Sequence, residues 1–169
     1  MINISEMIQK MIGYSDGNIH DIEHFMKVWA YAKTIGELEH LDEATQFILE
    51  AAAIMHDIAC PLCREKYGNA DGKHQEEEGP ALVIDFLKDS GMSDAQINRV
   101  SYLVGHHHTL DCIEGVDYQI LIEADYIVNA AENQFPQENI MNFRERFFRT
   151  KAGRTLLNDI FKASLINSL

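Results

Sequence analysis

The stretch ILEAAAIMHDIA (residues 48–59) decides the fold, because an almost uninterrupted apolar run ends there in a histidine and an aspartate. Only Glu50, His56 and Asp57 interrupt its apolar side chains. The alanines in its middle are small enough for close contact between helices. Asp42 is a typical N-cap, so the run predicts a buried helix from about residue 42 to about residue 58.

Apolar residues on both sides of this helix recur with a period near 3.6 rather than 2, which indicates further helices and no strand. Gly13 and Gly91 are typical stop signals, and Ser93 and Asp117 are typical N-caps. Residues 60–75 form the longest irregular stretch. The fold class is therefore all-α, with further helices predicted at about 2–12, 18–36, 80–90, 93–107, from 117, and in a tail at about 137–167.

The chain has 169 residues, of which 27 are acidic and 14 basic, so its formal net charge is −13. This length fits one domain, and such an acidic surface would repel a nucleic acid polymer. No window approaches the ~18 uninterrupted apolar residues of a membrane span. The first ten residues lack the order of a secretory signal, and three cysteines do not indicate a disulfide framework. We therefore expect a cytoplasmic protein with no membrane and no nucleic acid partner.

Polar side chains interrupt the apolar stripes of three predicted helices. His24 lies on the second helix, His56 and Asp57 end the buried helix, and Asp125 lies on the inward face of the sixth. Taken singly, such a histidine is usually a satisfied core residue and such an aspartate a cap or an ion-pair partner. A buried carboxylate is costly unless it is paired or coordinates a metal. Together the four side chains form a mixed N/O ligand set that suits Mn²⁺, Fe²⁺, Co²⁺, Ni²⁺, Zn²⁺ or Mg²⁺.

The order His24 … His56-Asp57 … Asp125 is similar to the H…HD…D motif of the HD-domain superfamily of metal-dependent phosphohydrolases. The resemblance is closest to the small stand-alone bacterial HD hydrolases and covers about residues 15–133. It implies that residues 1–169 form a single compact HD-domain helical bundle, with a core at about 15–133 and a C-terminal helical extension at 137–169. Three further stretches carry it: IEHFMKVWAYA (22–32), VSYLVGHHH (100–108) and ILIEADYIVNAAE (120–132).

The resemblance also implies a site and its chemistry. His24, His56, Asp57 and Asp125 would bind the divalent metal ion, and Asp57 would be the catalytic residue that bridges the ion and orients water. The reaction would be the hydrolysis of a phosphate ester or anhydride by metal-activated water. The partner would be a small-molecule phosphorylated substrate, commonly a nucleotide. Asp21 is a candidate to fix the tautomer of His24.

Two-metal members of the family take further ligands from the histidine-rich region after the fifth helix and from the helix before it. Here that earlier helix offers the glutamates at 76–78, for which a solvated helix N-terminus is the alternative. One or two ions per chain are therefore expected. The candidates for a second metal ion or for substrate contact are His107, His108, Glu77 and His20.

Three cations are candidates for binding the phosphate. Arg64 and Lys66 follow the His-Asp pair in sequence, and Arg149 belongs to a basic cluster at 144–154. Arginine is suited to bidentate recognition of phosphate. Ion pairs within the chain or across a dimer are the alternative for the basic cluster.

The same motif allows two other functions. A non-catalytic HD module would bind a nucleotide or a metal ion as a sensor, without turnover. A purely structural metal is disfavoured, because structural sites usually have four Cys or His ligands. The tail helices also leave a homodimer open.

Overall fold

The computed structural model describes residues 1–162, which form nine α-helices and contain no strand. The all-α prediction is therefore confirmed. The helices are α1 (Ile4–Tyr14), α2 (Ile19–Leu38), α3 (Glu43–Met55), α4 (Cys60–Tyr67), α5 (Gly72–Leu87), α6 (Asp94–Val104), α7 (Val116–Glu132), α8 (Gln137–Phe147) and α9 (Lys151–Ile160).

Helix α3 lies at the centre of the bundle, since every side chain from Leu49 to Met55 is buried. It contacts α2, α6 and α7, and α2 also packs along α7. The hydrophobic core extends from Met7 on α1 to Leu157 on α9. The division into a core at 15–133 and an extension at 137–169 stays a prediction, and residues 163–169 lie outside the described residues.

The prediction of an irregular stretch at 60–75 is wrong, because this range contains all of α4 and the first turn of α5. Pro61 lies in the first turn of α4, where a proline needs no hydrogen-bond partner for its nitrogen. Gly68 ends α4 with a φ of 73°, a conformation that favours glycine. Pro80 does not begin a helix but lies inside α5, where Ser101 Oγ donates to its carbonyl oxygen at 3.2 Å.

Two helix ends near the predicted site also differ from expectation. Helix α6 ends at Val104 rather than at residue 107, so His107 and His108 lie in the turn that follows it. Asp117 is not the N-cap of α7, because the helix begins at Val116. The Asp117 carboxylate instead accepts hydrogen bonds from the Arg99 guanidinium at 2.7 and 2.9 Å.

Residues Glu43–Tyr67 are long and apolar enough to cross a membrane by length and composition alone. However, 67% of the most apolar window is buried inside the protein, and a turn at 56–59 separates α3 from α4. A buried core helix meets the same criterion, so this stretch is weak evidence for a membrane span.

Candidate metal centre

Three helices and two turns bring the predicted ligand residues together. His24 lies on α2 and Asp125 on α7, while His56 and Asp57 lie where α3 ends. The turn after α6 adds His107, which is buried. Because α2, α6 and α7 all pack against α3, residues at the end of α3 can meet side chains from each of them.

The ligand atoms of these five residues lie close together. His24 Nε2 is 3.2 Å from His56 Nε2, 3.3 Å from Asp125 Oδ1 and 3.5 Å from Asp57 Oδ2. His56 Nε2 is 3.5 Å from both Asp57 Oδ2 and Asp125 Oδ1. His107 Nε2 is 3.5 Å from Asp57 Oδ1. The three imidazoles are buried and the side chain of Asp57 is 27% exposed, so the cluster opens to solvent at Asp57.

All three imidazoles use Nδ1 to donate a hydrogen bond away from the cluster. His56 and His107 each donate to a backbone carbonyl three residues earlier, both at 2.8 Å. His24 Nδ1 donates to Glu132 Oε2, also at 2.8 Å. A neutral imidazole that carries its proton on Nδ1 has a lone pair on Nε2. Three lone pairs therefore point towards two carboxylates.

Acceptor atoms that face one another repel unless a cation lies among them. His107 Nε2 is buried and has no hydrogen-bond partner within residues 1–162. Ligand atoms about 2.1 Å from a divalent ion lie about 3.0 Å apart in an octahedron and about 3.4 Å apart in a tetrahedron. The separations of 3.2–3.5 Å in this cluster are close to those values. These residues fit a divalent metal ion, and the cluster can hold one.

The two oxygens of Asp57 face different partners. Asp57 Oδ2 faces His24 and His56, which together form one group able to hold a metal ion. Asp57, His107 and His108 form a second such group. Asp57 is therefore placed to bridge the two groups, while the number of ions stays a prediction.

The electrostatics of the cluster favour negative carboxylates. Burial alone would raise the pKa of Asp57 and of Asp125, but the facing imidazoles hold both well below their usual range. Burial lowers the pKa of His24, but the hydrogen bond to Asp125 and the charge of Asp57 outweigh it and raise this pKa to about 9. The space between the carboxylates thus attracts positive charge.

Two residues of α7, Asn129 and Glu132, orient side chains of the cluster through hydrogen bonds. Asn129 Nδ2 donates to Asp125 Oδ1 at 2.8 Å, which directs that carboxylate. Glu132 accepts the Nδ1 proton of His24 and so fixes its tautomer. The sequence contained a signal for Glu132, since a residue seven positions after Asp125 lies on the same face of a helix.

Glu132 takes the place that Asp21 was expected to have. The prediction that Asp21 fixes His24 is wrong, because its carboxylate pairs with the Arg64 guanidinium instead. One helical turn before His24, His20 keeps a ring that is 78% exposed and is stacked on the His24 ring, with 6.4 Å between centroids. His20 thus lies at the rim of the cluster.

The glutamates of α5 behave differently from one another. Glu77 is exposed and lies 3.9 Å from the Lys73 ammonium, so the structure does not bring it to the cluster. Glu76 lies nearer, since its Oε1 accepts a hydrogen bond from the backbone N–H of His108 at 3.0 Å. Glu76 therefore holds the turn that carries His108.

The three predicted phosphate-binding cations occupy different places. Arg64 lies at the rim of the cluster, within electrostatic reach of Asp57. Lys66 pairs with Glu78. The Arg149 guanidinium donates to the carbonyl oxygen of the residue before it at 3.0 Å, and its backbone N–H binds the buried Glu123. A phosphate-binding role stays a prediction for all three.

Comparisons with known proteins match this arrangement. A family model described as HD domain matches residues 21–132. A crystal structure at 1.45 Å resolution of a predicted HD superfamily hydrolase from an uncultured Thermotogales bacterium is similar in fold, with a TM-score of 0.71 over 96% of this chain and 88% of that chain. Its sequence is 22% identical, so this likeness concerns the fold alone. No curated protein matches the chain.

Proposed function

The chain belongs to the HD-domain family, a family of metal-dependent hydrolases, and from this premise we propose that it is a phosphohydrolase. Its substrate is a small phosphorylated metabolite, such as a nucleotide, whose phosphate ester or anhydride is cleaved. One observation carries the proposal: three Nε2 lone pairs converge on two carboxylates at a site that opens to solvent. A closed structural site would have no such opening.

The residues of the cluster have different roles in the proposed reaction. His24, His56, Asp57 and Asp125 hold the metal ion, with His107 and His108 at the second group. When bound, a divalent ion supplies the Lewis acidity that activates water near neutral pH. Asp57 is the catalytic residue, because it is the most exposed of the four ligands and can accept a hydrogen bond from the attacking water.

Arg64 supplies positive charge for the phosphate at the rim of the site, and His20 supplies a ring N–H. His20 lies beside His24, and Arg64 lies beside Asp21 with a side chain that is 42% exposed. We expect a phosphate that enters from the solvent side to contact both side chains. Arg64 can offer two parallel N–H groups to phosphate oxygens. We expect it to exchange its contact with Asp21 for this one.

The proposal is tested by elemental analysis together with phosphate release. The wild type, Asp57→Ala and the control Asp85→Asn are incubated with each candidate ion and desalted. Asp85 is a suitable control because its side chain is 75% exposed and pairs only with Lys88 among its described partners. We expect at least one equivalent of metal in the wild type and the control, and loss of both metal and hydrolysis in Asp57→Ala.

Three other outcomes have distinct meanings. Metal and nucleotide binding without any product from a panel of phosphate esters would indicate the sensing module instead of an enzyme. Absence of metal from the wild type after every incubation would overturn the hydrolase proposal. A chain that unfolds on chelation would indicate a structural metal.

A further inference from the structure

A cavity of about 390 Å³ opens directly beside the metal-ligand cluster. His107 and Asp125 of the cluster form part of its wall, and the rings of Tyr126, Phe135 and Phe143 form another part. A group bound in this cavity therefore lies next to any phosphate held at the metal centre. Cavities of about 300–1,000 Å³ are typical of small-molecule sites.

The aromatic wall is a packed set of rings. Tyr126 and Phe143 are stacked, with 3.7 Å between ring centroids and 7° between planes. Phe135 lies 5.9 Å from Tyr126, and the fully buried Phe148 meets both stacked rings edge-on at 6.0 and 6.2 Å. Because these rings pack against one another, the wall is a preformed apolar surface.

Two polar groups of the cavity outside the cluster are already engaged, and His107 Nε2, which has no hydrogen-bond partner within residues 1–162, faces Asp57 within the cluster. The Asn129 amide donates to Asp125 at 2.8 Å, and the Tyr126 hydroxyl donates to the Asn139 carbonyl oxygen at 3.2 Å. Among the described residues that line the cavity, none is a lysine or an arginine. The rim residues His20 and Arg64 contact α2 residues outside the cavity lining. The cavity is therefore unsuited to a second phosphate and suited to a flat, weakly polar group.

We propose that this cavity binds the leaving group and selects phosphate esters whose alcohol carries a planar ring. This inference rests on the proposed function. In the reaction, the oxygen of water attacks phosphorus and the P–O bond to the alcohol breaks. One proton of the water stays on the phosphate product and the other goes to the alcohol oxygen. The ring lies against Phe143 and Tyr126 throughout, and this contact determines the choice of substrate.

The test uses two matched pairs of substrates with the same kind of primary alcohol. One pair is 2′-deoxyadenosine 5′-monophosphate and 2-deoxyribose 5-phosphate, and the other is 2-phenylethyl phosphate and ethyl phosphate. Stacking on an aromatic side chain typically changes binding about 5- to 150-fold on alanine substitution. We therefore expect the wild type to favour the ring-bearing member of both pairs by about 10-fold or more in kcat/KM.

The variants locate this preference in the cavity wall. Phe143→Ala should lower the preference about 10-fold, and Phe143→Leu should lower it while keeping apolar volume at the site. Phe147→Ala is the matched control, because Phe147 lies on the same helix 4.6 Å from Phe143 and is not among the described residues that line the cavity. Phe147→Ala should retain the preference.

Two results would overturn the proposal: equal kcat/KM values within both pairs, or a preference confined to the nucleotide pair and unchanged in Phe143→Ala and Phe143→Leu. Failure of the proposed function is distinguished by saturation-transfer NMR with 2-phenylethanol and with 2′-deoxyadenosine, which carry no phosphate. If no phosphate ester is hydrolysed but both rings bind the wild type and not Phe143→Leu, the cavity proposal stands and the phosphohydrolase proposal fails. If neither ring binds, the cavity proposal fails as well.

Discussion

Two buried carboxylates, Glu123 and Asp125, lie two residues apart on α7 and have opposite surroundings. Glu123 is surrounded by donors. Its Oε1 accepts hydrogen bonds from the backbone N–H of Arg149 at 2.6 Å, from that of Thr150 at 3.0 Å and from the Gln119 amide at 2.8 Å, and its Oε2 accepts from the Thr150 hydroxyl. Asp125 instead faces the Nε2 atoms of two imidazoles, which can bind a metal ion or, without one, a proton.

The comparison shows that burial of a carboxylate does not by itself identify a metal site. The donors around Glu123 satisfy it, and through them it ties the segment between α8 and α9 to α7. A Cβ on Gly153 would lie 1.9 Å from Glu123 Oε2, so this close approach requires glycine. The facing imidazoles lower the pKa of Asp125 despite its burial, whereas burial raises that of Glu123. Glu123 is satisfied by fixed protein donors, whereas Asp125 faces imidazoles that can bind a cation, and this difference separates the two roles.

The largest expected effect is the loss of metal binding in Asp125→Asn. Replacing a partner outside the ligand set typically lowers metal affinity about 10- to 100-fold, so removing a charged ligand should lower it more than about 100-fold. The amide group of the new side chain can donate to the Nε2 lone pairs of His24 or His56. The metal-free variant should therefore still fold, but with less stability below pH 9 than the metal-free wild type, because the contribution of Asp125 to the raised pKa of His24 is lost.

Titration calorimetry with Mn²⁺ or Zn²⁺ measures the metal affinity of the variant. Thermal unfolding in chelator measures the stability of its metal-free form. Metal affinity within about threefold of the wild type would show that Asp125 is not a ligand. Loss of folding in the metal-free variant would show that Asp125 resembles Glu123 in being a structural carboxylate.

Glu123 and Asp125 also show what the sequence could and could not predict at the site. Both are acidic residues within the apolar pattern of one helix, and only Asp125 matched a motif. Apart from Gln119, the donors of Glu123 come from Arg149 and Thr150, and the imidazoles around Asp125 come from α2 and the end of α3. Because these neighbours are distant in sequence, helical spacing within α7 does not distinguish the two kinds of neighbour.

The fold could be predicted where a long apolar pattern has a helical period. It could not be predicted where one residue can either end or begin a helix. The helix around residues 48–55 was predicted because its buried run is long. Helix α4 was missed because Pro61 can either break a helix or begin one. His107 was a candidate for a second ion or for substrate contact, and the end of α6 at Val104 places it against Asp57. The position of His107 depends on the direction of the turn after α6, which apolar periodicity does not predict.

The next effect is a dependence of stability on pH that changes when the metal is removed. In the metal-free protein the pKa of His24 is raised from 6.5 to about 9 by its carboxylate neighbours. A raised pKa stabilises the folded state below the unfolded value and loses this contribution as the pH rises through the folded value. The free energy of unfolding of the metal-free protein should therefore fall by up to about 3 kcal/mol between pH 6.5 and 9.

The affinity for the metal ion should instead rise over the same pH range, because the ion displaces a proton from His24. Urea unfolding at several pH values, with and without chelator, measures both curves. If the metal-free curve is flat between these pH values, the carboxylates do not hold a proton on His24.

The smallest effect is expected for Glu123→Gln, and it completes the comparison. The amide oxygen of the new side chain can still accept from the backbone N–H groups of Arg149 and Thr150, but its NH₂ group replaces Oε2. The Thr150 hydroxyl then loses its acceptor while it still caps Gly153 at the start of α9. Loss of one such hydrogen bond typically costs about 1–2 kcal/mol, and this is the decrease in the free energy of unfolding that urea titration should show. Metal affinity should equal that of the wild type, because no atom of Glu123 faces an imidazole of the cluster among its described contacts. If Glu123→Gln instead loses the metal as Asp125→Asn does, the two carboxylates act as one unit, and the donors around Glu123 position the metal centre through α7.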